Sequence, residues 1–182
     1  MIRLIGCALL ASFALNAAHA ARYQIGAEDS RLQFSGEISG ESFEGRFERF
    51  TGQLSFDPTR LDDTSIVVEI DMGTVNTDSE ERDEALATAE WFDPENFPKA
   101  RFQAEGAAAA GDKFVSMAQL TIRGVSKPVR FTFQLDRKLE RLTGTASLDR
   151  TVWDLGGEDW RDEDLVAHAV LVKVDVKLTA QP

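Results

Sequence analysis

A chain of 182 residues with 43% hydrophobic and 28% charged side chains has the composition of a folded protein long enough to bury a core. Its formal net charge of −11 works against binding nucleic acid or anionic lipid headgroups, because both repel an acidic surface. One cysteine and two histidines leave no intrachain disulfide, no thiolate metal site and no histidine-rich zinc site.

The chain opens with Arg3, runs uncharged and mostly apolar from Leu4 to Ala18, and reaches a small-x-small pattern at Ala18-His19-Ala20. A basic start, a short apolar run and small residues predict a secretory signal peptide over residues 1–20, cleaved before Ala21. Leu4-Ile5-Gly6-Cys7 looks like a lipoprotein box, but the apolar run follows Cys7 where such a signal needs it in front. The run is also short for a membrane span. The leader takes Arg3 and the sole cysteine with it. Residues 21–182 are therefore expected to form a single soluble, exported, acidic domain held by packing alone, and the periplasm is the compartment this implies.

Tyr23 to Ile25 and Leu32 to Ile38 alternate as opening strands. Phe43 to Phe56 follows, with Phe43, Gly45 and Phe47 on one face and Phe50, Gly52, Leu54 and Phe56 on another; glycines inside strands mark bends or close approaches of backbone. Asp57-Pro58 is a turn, and Ile66, Val68, Ile70 and Met72 define the next strand. The pattern then changes. Thr77 to Glu90 carries acids early and helix formers late, with Thr77 and Glu80 or Asp78 and Glu81 spaced as a capping box, so one helix is predicted over roughly 79–90. Its early acids suit the helix dipole and lack the ligand order of a calcium loop. Leu86, Ala89, Trp91 and Phe92 give it an apolar underside, and it is expected to cover one barrel mouth.

Strands resume over Lys99 to Ala107 and, after a turn at 107–112, over Phe114 to Ile122. Leu120 and Ile122 alternate before a short interruption at 123–128, and Val129, Phe131, Phe133 and Leu135 alternate after it. This predicts two antiparallel strands joined by a tight connection that uses Gly124 and Pro128. Leu142 to Arg150 is another strand, a loop runs through Gly156-Gly157 and Trp160, and the last strand carries Val166, His168, Val170, Val172, Val174, Val176 and Leu178 on one side. Regularly spaced amphipathic strands with a single helix predict a mainly β fold: a closed antiparallel barrel of about eight strands with one short helix inserted mid-chain. With no Gly-x-Ser-x-Gly elbow and one histidine outside the leader, no catalytic site is expected.

Several motifs in order cover nearly all of residues 21–182. They are Phe47-x-x-Phe50-x-Gly52 with Phe56-Asp57-Pro58, Thr77 followed by Arg82-Asp83 and Leu86, and Trp91-Phe92. Phe97-Pro98-x-Ala100-x-Phe102, Leu120-Thr-Ile-Arg-Gly-Val-Ser-Lys-Pro-Val129 and Arg150 ahead of Gly156 complete the set. In these the chain resembles the YceI family of periplasmic, lipocalin-like barrels associated with polyisoprenoid lipids. It departs from that pattern where relatives often carry histidine near the opening strands, having Asp29-Ser30 and Ile38-Ser39 there, and in a longer, more acidic loop around Gly156.

The resemblance implies a barrel that holds a long-chain amphiphile, an isoprenoid quinone or polyprenyl lipid, with no catalytic cofactor and no metal. The expected lining is Phe34, Phe50, Leu54, Leu86, Trp91, Phe92, Phe102, Leu120, Phe131, Phe133 and Leu148, with Arg150 and His168 as the polar candidates. His168 either bonds a ligand carbonyl or headgroup or is a structural histidine satisfied by a neighbour. Arg150 either meets a pyrophosphate at the mouth or pairs with an acid such as Asp154 or Glu158. The alternative function is a filled barrel whose surface makes transient contact with an inner-membrane redox partner such as a cytochrome b561-type protein.

Overall fold

The computed structural model describes residues 20–182, so the expected leader lies outside it except for Ala20. Twelve strands and one α-helix follow in the order β1 (Ala21–Gly26), β2 (Arg31–Ile38), β3 (Glu41–Phe47), β4 (Phe50–Phe56), β5 (Ser65–Asp71), β6 (Val75–Asn76), α1 (Glu80–Leu86), β7 (Lys99–Glu105), β8 (Ala108–Ala110), β9 (Lys113–Ile122), β10 (Val125–Leu135), β11 (Arg141–Asp149) and β12 (Ala169–Ala180). Eight close a ring in the order β1-β4-β5-β7-β9-β10-β11-β12, and β12 returns to β1 with Tyr23 opposite Ala180 and Ile25 opposite Leu178. This is the expected closed antiparallel barrel with one short helix mid-chain, and closure leaves no edge along the ring. β12 is long enough to hold two partners on one edge. Its Leu171–Asp175 segment pairs with Ser35–Arg31 of β2, and its end pairs with β1. The hairpin of β2 and β3 thus extends the wall, and β6 pairs onto β3.

Local chemistry sets the joints. β9 and β10 are linked by Arg123 and Gly124 alone, with φ of 49° and 73°. Two consecutive positive φ values make the two-residue turn whose twist matches a hairpin. The connection is therefore shorter than the expected interruption at 123–128, and Pro128 sits inside β10 opposite Gln119. Its missing donor is tolerated because β11 pairs with β10 only from Thr132 onward. Gly52 marks the expected close approach, since a Cβ there would lie 2.5 Å from the Val67 carbonyl oxygen.

Three other boundaries differ from the sequence expectation. The helix ends at Leu86, not near 90, because the Phe92 N–H returns to the Leu86 carbonyl at 3.0 Å and turns Phe92 into the barrel. Its N-cap is Ser79, whose hydroxyl accepts from the Arg82 N–H at 3.4 Å; neither expected capping box forms. Ala108–Ala110, expected as a turn, pairs with β9. The last strand begins at Ala169, leaving Val166 as an isolated bridge to Ile38.

Phenylalanines fill one end of the barrel. Rings pack in series from Phe56 to Phe114 (5.2 Å between centroids), Phe114 to Phe133 (5.5 Å), Phe133 to Phe131 (5.5 Å, 14° between planes) and Phe131 to Phe102 (5.2 Å). Each fully buried ring of this kind contributes roughly 1.5–3 kcal/mol. The other end is not filled.

Candidate functional site

Above the ring stack the barrel encloses a cavity of about 490 Å³. Its walls are the inward faces of the strands: Val170, Val172, Val174 and Val176 from β12, Ile66, Val68 and Ile70 from β5, and Phe131, Leu120 and Phe102 from β10, β9 and β7. The β period of two puts these residues on one face and leaves Lys173, Asp175 and Glu69 outside. Lining residues that are also solvent-exposed mark where the cavity meets water. They are Glu37 on β2, Glu81 and Ala85 on α1, and Trp160 in the loop after β11.

That loop is organised by one buried cation. Arg150 lies past the end of β11, in the 3-10 turn Arg150–Trp153, and is 3% exposed. The turn starts at Asp149, whose Oδ1 accepts from the Thr151 N–H at 2.9 Å and its hydroxyl at 2.6 Å, holding the Asp149 carboxyl below its usual pKa. The Arg150 guanidinium donates from Nε to the Ala167 carbonyl (3.1 Å), from Nη1 to Leu155 (2.6 Å), and from Nη2 to Val166 (2.7 Å) and to Trp160. Among the described residues, no carboxylate forms a salt bridge with it. Burial pulls its pKa below the usual arginine value, with the Asp149 charge opposing that shift. The pairing with an acid expected for Arg150 does not form, because Asp154 and Glu158 are both held by Arg161 at 3.3 and 3.2 Å. Gly156 is fixed by the same packing. Its φ is +95°, and a Cβ would lie 2.9 Å from Arg150 Nη1 and 3.2 Å from Trp91.

Another part of the rim is α1. Thr77, 4% exposed, donates its N–H and hydroxyl to Asp83 Oδ1 at 2.8 and 2.6 Å, clasping the helix to the strand before it. Leu86 and Phe92 bury beneath. Arg82 reaches the cavity wall, with its guanidinium carbon 4.8 Å from the Phe43 ring centroid and Nη2 donating to the Thr77 carbonyl at 3.2 Å. Its Nε is buried without a hydrogen-bond partner among the described residues.

Of the expected lining, Phe34, Phe50, Leu86, Trp91, Phe92, Phe102, Leu120, Phe131, Leu148 and Arg150 stand in the cavity wall. Leu54 and Phe133, each 1% exposed, do not; Phe133 belongs to the ring stack below it. His168 is off the wall as well. It precedes β12, is half-buried, and its Nε2 lies 2.8 Å from the Arg161 carbonyl oxygen, so a neighbour satisfies it. Sequence reasoning missed Arg82, Trp153 and Trp160 as wall residues. Trp153 faces inward because its Nε1 donates to the Leu120 carbonyl at 3.1 Å, a contact that no strand periodicity announces. The valine stripe of β12 was visible as an apolar face without being assigned to the site.

A closed antiparallel barrel with an apolar interior cavity and a polar, partly helical mouth is a lipocalin-like binding architecture. Within that class the chain belongs to the YceI-like domain family, whose model matches residues 23–180. A "UPF0312 protein" of Shewanella denitrificans is 36% identical over 129 residues, covering 69% of this chain and 66% of that protein. "Protein YceI" of Salmonella newport is 31% identical over 126 residues, 68% of this chain and 66% of that one. The chain thus matches about two thirds of the length of these relatives. Among solved structures, Burkholderia cenocepacia BcnA superposes with a TM-score of 0.80 at 25% identity, over 85% of this chain and 99% of that one. A polyisoprenoid binding domain from Saccharophagus degradans, implicated in plant cell wall breakdown, shares the fold at a TM-score of 0.65 and 19% identity, over 90% of this chain and 100% of that one.

Proposed function

We propose that this protein is an exported carrier that holds one long-chain amphiphile, an isoprenoid quinone or polyprenyl lipid, with its tail inside the barrel and its polar end at the mouth. The observation that carries this reading is the contrast along the cavity. The walls of β5, β7, β9, β10 and β12 are apolar, whereas Ser79, Glu81 and Arg82 stand together on the α1 rim. Each methylene moved from water into such a wall contributes about 0.8 kcal/mol, so a tail supplies affinity while a few polar groups orient the head. The Saccharophagus domain that shares the fold is described as polyisoprenoid-binding, which points to the same chemical class. In this reading residues 21–182 form one barrel domain that follows a removed leader and works in the periplasm, as a carrier and not an enzyme.

Lipid extraction followed by mass spectrometry of protein purified from its exporting host tests the reading. A single isoprenoid class released in near-stoichiometric amount is the expected result. Barrels that yield no lipid and take up no polyprenol or quinone when offered it would refute the carrier role and leave a surface-docking protein.

A further inference from the structure

One ring of the cavity wall, Phe131, has a position that depends on a glycine. Phe131 lines the cavity, while Phe133, stacked 5.5 Å beneath it, does not. Phe131 is therefore the last ring a tail can reach along β10. Its edge lies against β11 at Gly144, where a Cβ would be 2.5 Å from Phe131 Cζ and 2.6 Å from Cε2, closer than real Cβ atoms come to any atom. With any larger residue there, the ring must leave the wall. Phe133 blocks one face, Phe102 sits 5.2 Å away edge-on, and the open volume is the cavity itself.

We propose that Gly144 and Phe131 together form a depth gauge, the pair that fixes how much chain the barrel accepts; this rests on the carrier reading above. Gly144 leaves room for the edge of the ring against β11, and the ring so placed sets the floor. Removing the ring opens the way toward Phe133 and Phe114. Adding a Cβ at Gly144 swings the ring into the space a tail would fill. The gauge selects by length and not by headgroup, since the wall residues around Phe131, among them Phe102, Leu120, Val129 and Leu142, are apolar.

The test is a titration of straight-chain primary alcohols from octanol to octadecanol, read by the fluorescence of Trp91, Trp153 and Trp160, all of which line the cavity. In the parent protein each added methylene should tighten binding about fourfold until the tail meets the floor, after which affinity stops rising. Phe131→Ala and the milder Phe131→Leu should move that break to longer alcohols. Gly144→Ala should move it to shorter ones. The double variant Gly144→Ala/Phe131→Leu, in which no ring remains to collide, should return the break at least to the parent position. This last comparison keeps the test sharp if Gly144→Ala alone folds poorly, since a Cβ there also stands 3.0 Å from the Thr132 carbonyl oxygen. Parent protein that binds the series with a break unmoved by either Phe131 substitution overturns the gauge and leaves the carrier reading standing. Parent protein that binds no member of the series overturns both.

Discussion

The Arg150 guanidinium carbon lies 5.4 Å from the centroid of the Trp91 ring, so the cation that gathers the loop carbonyls is stacked on the indole at the cavity wall. Trp91 in turn leans on Trp160, with ring centroids 6.3 Å apart. One buried charge therefore holds three things in register: the end of β11, the acidic loop and the aromatic side of the mouth. Arginine suits the place because its planar fork reaches several acceptors at once.

Arg150→Ala should destabilise the protein by about 3–5 kcal/mol, since it removes the donor from four buried or part-buried carbonyls. Arg150→Lys should recover only part of that, because an ammonium on a thinner stem cannot span the same acceptors. Urea denaturation measures both, and limited proteolysis should find new cleavage between residues 155 and 165. An alanine variant within 1 kcal/mol of the parent would show that the loop is held by other contacts.

The helix rim depends on a smaller clasp. Asp83→Ala removes both bonds from Thr77, and hydrogen bonds to a carboxylate contribute roughly 1.5–3 kcal/mol each. Amide exchange across residues 80–92 should therefore rise at least about tenfold, with β12 unchanged, because a seven-residue helix has little stability of its own. Adding a long-chain alcohol to the parent should protect residues 82–92 more than Val170 to Val176. Equal protection in both states would make α1 a fixed plug instead of a moving cover.

Acid should loosen the fold in a defined window. Hydrogen bonds from the Thr59 hydroxyl and N–H, and from Arg60, pull the Asp57 carboxyl down from 3.8 to about 2. Lys177, Lys99 and Arg46 likewise hold Asp29, Glu69 and Asp78 below their ordinary values. A carboxyl with a depressed folded pKa contributes stability above its unfolded pKa and loses it as pH falls through the folded value. Thermal melts should accordingly be level from about pH 7 to 5 and decline below about pH 4. Asp57→Asn should melt lower than the parent at neutral pH, with the gap closing as pH approaches 2. A gap that stays constant down to that pH would mean the carboxylate charge contributes nothing.

Parity was legible in the sequence, and depth was not. Alternation placed Phe131 and Phe133 on the same inward face, and both do point inward. Whether a ring lines a cavity or packs below it depends on its level along the barrel, which residue type does not encode. Leu54 is buried off the wall although Ile66, its register partner on β5, stands in it. His168 shares parity with Val170, yet its strand starts one residue later, where its own carbonyl accepts the Arg150 N–H at 2.9 Å. Arg150 itself was visible as an unusual charge, but its partners are backbone carbonyls, which every residue carries and no pattern marks. The barrel, its closure and the helix existed in the pattern. The helix end did not, because the burial of Phe92, a tertiary demand, stops a run of good helix formers.

The most direct test of the central claim is to place a quencher on the tail. Trp153 is 2% exposed and stands in the cavity wall, so a protein carrying W91F and W160F reports the interior through that indole alone. A long-chain alcohol brominated along its tail should quench Trp153 saturably, and the unbrominated alcohol should reverse the quenching by competition. Saturable binding of the brominated alcohol with Trp153 emission unchanged would put the tail outside the barrel and contradict the account.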